Sequence, residues 1–173
     1  MLCCGYICEI QQPGVSMYLK KAVFSILVGF CLINFSSCKS GADSPADAAA
    51  LLTEVKQWQI DEIAVNDAVT FKDGKMTKQF GGIDFERYME TVELRKDGTF
   101  SGVFKGDAKP FILKWRQTDK NLTVGAADGN VKGGEWTIDP KDASNEFFTM
   151  KTQSTAYDYP RMTRISLKFK AVK

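Results

Sequence analysis

The sequence predicts an all-β domain, an antiparallel up-and-down meander of eight to ten short strands closed into a barrel, with one short N-terminal helix and an export signal in front of it. Two observations carry the fold class. From Gln57 onward the apolar residues alternate with polar ones and no later stretch regains a helical period. Turn-forming pairs such as Asp73-Gly74 and Asp97-Gly98 also punctuate the alternating runs at short intervals. A meander of that many strands removes its edges best by closing on itself.

The leader comes first in the chain. Lys20 and Lys21 form a positive n-region, Ala22 to Phe35 an apolar run, and Ser36-Ser37 lead into Cys38. The apolar run has about half to two-thirds of the length a spanning helix needs. A start at Met17 places the lysines where an n-region belongs, so residues 1–16, with Cys3, Cys4 and Cys8, read as a leader rather than a metal or redox cluster. The pattern 17–38 resembles the signal peptide and lipobox of bacterial lipoproteins. The resemblance implies cleavage before Cys38, acylation of its thiol and new N-terminus, and a lipid-anchored chain in the cell envelope. Lys39 stands where aspartate resembles an inner-membrane retention signal in some bacteria, which points to the outer membrane. The domains expected are thus a leader and signal over 1–37, a lipidated tether over 38–44 and a barrel over 45–173.

All five cysteines lie at or before Cys38, so no internal disulfide is available to the exported chain, which must rely on its core. Histidine is absent, removing the commonest general base and metal ligand. Loss of the leader removes Lys20, Lys21 and Glu9 and leaves the two charge signs nearly balanced and interspersed, which argues against nucleic acid as a partner.

Lys39 to Ser44 has the composition of a short flexible tether. Ser44-Pro45-Ala46-Asp47 reads as a helix start, with Ser44 capping, Pro45 at the first helical position and Asp47 closing a capping box. Ala48, Leu51, Leu52 and Val55 fall on one face, predicting a helix over 45–54. Trp58, Ile60 and Ile63 open the first strand. Phe71 to Met76 forms a hairpin about Asp73-Gly74 with Phe71 opposite Met76. In the Tyr88–Phe104 hairpin, a three-residue loop Lys96-Asp97-Gly98 pairs Leu94 with Phe100 and Val92 with Gly102, keeping the apolar face whole and setting Gly98 at a left-handed position. Phe111, Leu113 and Trp115 alternate toward a return through Leu122 and Val124. Val131, Trp136 and Ile138 form the next strand, stopped at Asp139-Pro140. Phe148 and Met150 precede a final strand through Ile165, Leu167, Phe169 and Ala171.

The order of lipobox, tether, small helix, tryptophan at the first strand and hairpins to the C-terminus resembles the lipocalin-like domains of bacterial lipoproteins over residues 38–173. The resemblance implies an eight- or ten-stranded barrel whose mouth or interior holds a small apolar ligand.

The residues that alternate toward such an interior are Trp58, Phe100, Phe104, Trp115, Trp136 and Phe148. They either line a ligand pocket or fill the barrel solid, since eight strands enclose just enough room for side chains or one small ligand. Tyr157 to Pro160 reads as a recognition loop or a connector. Asp84 and Glu86 could form a carboxylate pair and are most simply surface charges. Asp128-Gly129-Asn130 and Asp139 to Asp142 offer oxygens without the spacing of a calcium loop and read as turns. No cofactor or metal is expected. The leading expectation is a lipid-anchored binding protein without chemistry of its own, holding a small hydrophobic or amphipathic molecule. The alternative is a protein-binding envelope module with a solid barrel, and an enzyme is the third possibility.

Overall fold

The computed structural model describes residues 41–78, 87–126, 134–155 and 162–173. The leader, Cys38, Val131, Asp84 with Glu86, Asp128 to Asn130 and Tyr157 to Pro160 lie outside the described residues. Helix α1 spans Pro45–Glu54. Its first turn is closed as the sequence predicts, with the Ser44 hydroxyl accepting from Asp47 N at 3.2 Å and donating to Asp47 Oδ2 at 2.7 Å. Ala48 and Leu52 are its buried residues.

Ten strands follow among the described residues: β1 Trp58–Val65, β2 Ala68–Lys72, β3 Lys75–Met76, β4 Met89–Leu94, β5 Thr99–Phe104, β6 Phe111–Gln117, β7 Leu122–Gly125, β8 Trp136–Ile138, β9 Phe147–Ser154 and β10 Thr163–Ala171. Every pairing is antiparallel. β4 through β10 pair in sequence order, and β1 joins β10 on one side and the middle of β4 on the other. Eight strands thus close into a barrel, and the β2–β3 hairpin hangs on the second half of β1. The protein is an all-β closed meander with one short helix.

β1 can serve three neighbours because it changes register. Ile60 pairs with Phe169 and Glu62 with Lys168, which leaves Asp61 as an extra residue. This bulge lets Ile60 and Ile63, three apart in sequence, both face the interior. On its other edge β1 pairs Trp58 with Val92, then gives that edge to β2 from Glu62 onward. The β1–β2 turn falls at Asn66-Asp67, both with positive φ (49° and 66°), a connection the sequence reading did not place. Asn66 Oδ1 accepts from Arg164 N at 3.0 Å and Asn66 N donates to Arg164 O at 2.9 Å, which fixes that turn to β10.

The predicted hairpins keep their registers. Phe71 pairs with Met76 across Asp73-Gly74, and Leu94 pairs with Phe100 and Val92 with Gly102 across a loop in which Gly98 has φ +80°. The loop is further held by Asp97 Oδ1, which accepts from Thr99 N at 2.9 Å. The bonds from Thr99, the backbone amide first, hold the Asp97 carboxyl below the usual carboxylate range.

α1 packs across the barrel end formed by the starts of β1 and β5 and the 95–98 and 118–121 turns, touching β4, β6, β7 and the 3-10 turn Pro140–Asp142. This is the helix end. The strand ends joined by the Asn66-Asp67 turn and the 105–110 loop lie at the far end.

Candidate functional site

The aromatic residues that sequence places inside the barrel are brought into one core by alternation along five strands. Trp58, Phe100 and Phe148 are fully buried. Trp58 meets Phe148 edge-on with ring centres 4.9 Å apart, Phe148 stacks on Phe169 at 5.0 Å, and the Trp58 indole N–H donates to Leu52 O at 3.2 Å. The indole thereby satisfies a carbonyl at the end of α1 that no helical amide can reach. Phe104, Trp115 and Trp136 are half-buried against the same core. Trp115 Nε1 donates to Arg95 O at 2.8 Å, so its polar edge is spent on the β4–β5 turn. Toward the far end, Phe111 lies over Gly102, where a Cβ would come within 2.4 Å of its ring, and it packs 4.6 Å from Phe104. The glycine leaves the slot that this ring fills. Toward the helix end, Leu52, Trp58, Phe100, Phe148 and Phe169 are all fully buried.

A groove of about 680 Å³ lies on the outer wall, across β8, β9, β10 and β1. Cross-strand partners share a face, and the buried pairs Met150–Leu167 and Leu167–Ile63 define the inner one. The alternate row, Thr137, Lys151, Ser166 and Ala64, pairs strand to strand and therefore faces out. Thr137, Ser166 and Ala64 are small and form a floor, while Gln153, Arg164, Asp67 and Glu135 border it toward the far end. The charges at this rim are paired. Arg164 bonds the Asp67 carboxylate, Lys151 Nζ lies 2.7 Å from Asp142 Oδ2, and Arg116 reaches Glu135 Oε1 at 3.4 Å. Exposed pairs of this kind are worth about 0–1 kcal/mol each, so a ligand displaces them at little cost, and no net field selects an ion.

A smaller groove of about 300 Å³ lies on the opposite wall, between Lys56-Gln57 and the outer residues of β4 and β5. It contains Glu93, whose carboxylate accepts from Arg95 at 2.9 and 3.0 Å and is held below the usual carboxylate range chiefly by that bond. Asp139 and Asp142, read from sequence as turn residues, do build the 3-10 turn, Asp139 Oδ1 accepting from Lys141 N at 2.9 Å. Among the described residues no cluster of three or more His, Cys, Asp or Glu is placed to hold a metal ion, and no helix is long and apolar enough to cross a membrane.

The outer groove is the feature that sequence reasoning missed. Its floor comes from single positions on four strands, each in the polar phase of the alternation. The only trace in sequence is that Ala64, Thr137 and Ser166 are small where long polar side chains are usual.

No family model matches the chain, and no curated protein matches it. Among solved structures, the bovine lipocalin allergen Bos d 2 is similar, with 16% identity, coverage of 70% of this chain and 73% of that one, and a TM-score of 0.39. At that score the likeness carries no functional argument, and the barrel rests on its own strand pairings.

Proposed function

We propose that this chain is a non-catalytic binding protein of the bacterial cell envelope, anchored by lipid on Cys38, that takes a small amphipathic molecule in the groove on its outer wall. The anchor is inferred from the pattern of residues 17–38, and Lys39 favours the outer membrane. One observation supports the choice of site: Trp58, Phe100 and Phe148 are fully buried and Trp58 packs edge-on against Phe148, while a groove of about 680 Å³ opens on the outer wall. That volume falls within the range of small-molecule sites, roughly 300–1,000 Å³. A floor of small side chains crossed by Lys151, whose charge is paired with Asp142, and further paired charges at the rim suit a ligand with an apolar body and neutral polar groups. The burial of Trp58, Phe100 and Phe148 also favours a second reading, a protein-binding module whose contacts come from the barrel surface.

The test uses anilinonaphthalene sulfonate as an amphipathic probe on the full chain. Saturable binding to the wild type that is lost in Ser166→Trp, which fills the floor from outside, supports the groove. Binding that survives Ser166→Trp, or no saturable binding at all, overturns it. For the anchor, Cys38→Ala should release the protein from the membrane fraction, and unchanged partitioning and processing would refute lipidation.

A further inference from the structure

At Gly41 and Ala42 the chain is docked on the barrel. Ala42 is 7% exposed, and its N–H lies 2.9 Å from both Pro140 O and Ala143 O. Gly41 passes so close to the 3-10 turn that a Cβ there would stand 2.2 Å from Lys141 O, and only glycine fits without a backbone shift. Only Lys39 and Ser40 stand between Cys38 and this docked stretch. Fully extended, the steps from Cys38 to Ala42 span at most about 14 Å. The docking point is on the helix end of the barrel, beside the turn that α1 touches. The far end lies roughly 20 Å beyond, for strands of this length rising about 3.3 Å per residue at the usual barrel tilt.

From the docked strap and the short chain before it we infer that the helix end of the barrel is its bilayer-facing end, held against a lipid surface, while the far end stands clear in the solvent. The inference rests on the lipidation reading above and deepens it, because it gives the groove an address. Its rim residues Asp67 and Arg164 lie at the Asn66-Asp67 turn of the far end, so the groove opens where a solute can reach it. The partner is the bilayer itself. Contact is imposed by the length of the tether and needs no charge attraction.

The experiment takes the full chain, expressed in a bacterium that lipidates it and bound to phosphatidylcholine vesicles carrying a nitroxide on the headgroup. A fluorophore is placed on a single introduced cysteine at Lys96→Cys or Lys120→Cys, in exposed turns of the helix end, or at Ala108→Cys or Lys109→Cys, in the exposed loop of the far end. Quenching should be severalfold stronger at 96 and 120 than at 108 and 109, and insertion of a long Gly-Ser linker after Ser40 should abolish the difference. Equal quenching at the two ends with the native tether, or stronger quenching at 108 and 109, overturns the orientation. Sedimentation with the vesicles separates the two failures: protein that sediments but quenches evenly is lipidated and not oriented, whereas protein that does not sediment refutes the anchor and this inference with it.

Discussion

Replacing Phe148 by alanine removes a ring that is fully buried between Trp58 at 4.9 Å and Phe169 at 5.0 Å. Exposing the equivalent of that side chain's apolar surface costs about 2–3 kcal/mol. If the neighbours do not collapse, the ring leaves a cavity of roughly 80 Å³, which at about 24 cal/mol per Å³ adds about 2 kcal/mol. The expected loss is therefore about 4–5 kcal/mol, a large share of the roughly 5–15 kcal/mol that holds a domain folded. Urea unfolding of the Cys38→Ala protein followed by tryptophan fluorescence reads it directly, and with a slope of about 2 kcal/mol per molar the midpoint should fall by about 2 M. Phe104→Ala is the control. That ring is half-buried, with the Arg87 guanidinium 4.9 Å from its centre, and should cost about 2 kcal/mol or less. A loss below about 1.5 kcal/mol for Phe148→Ala, or equal losses for the two variants, would mean that the interior already holds space beside Phe148. The packed-core reasoning, and with it the move of the ligand to the outer wall, would then be wrong.

Trp58→Phe should cost about 1–3 kcal/mol beyond the small change in volume, because the buried Leu52 carbonyl loses its donor. Hydrogen exchange of α1 amides should speed up together with the fall in Tm, and unchanged α1 protection would show that the indole bond does not hold the helix. Gly98→Ala should destabilise more than Gly74→Ala, by about 1 kcal/mol or more, since both glycines have positive φ but only at 98 does a Cβ meet backbone, 3.3 Å from Trp115 O. Equal thermal shifts for the two would contradict this. Because its folded-state pKa is lowered, Asp97 contributes stability that is complete above the ordinary carboxylate range and lost as pH falls through its lowered value. Urea midpoints measured down through that range should show an acid-labile component absent in Asp97→Asn, and parallel losses in both proteins would remove Asp97 from the account.

What the sequence alone determined is what neighbouring residues determine. Ser44 and Asp47 lie three apart, so the start of α1 needs no tertiary partner. The Leu94–Phe100 register follows from glycine at 98 and from the requirement that one face stay apolar, since a slip by one residue would turn Leu94 and Val92 outward. The closed meander follows in turn from turn chemistry and a period of two repeated to the C-terminus. The tertiary structure alone decided three things. The bulge at Asp61 and the changing partners of β1 depend on β10, about a hundred residues away, whose Phe169 and Leu167 must both find inward partners. The Asn66-Asp67 turn takes its left-handed pair because Asn66 can also bond the backbone of Arg164 on that distant strand. The outer groove exists because closure sets Thr137, Lys151, Ser166 and Ala64 side by side. Outward positions carry no burial constraint, so no periodicity marks them, and only the barrel's closure brings them together.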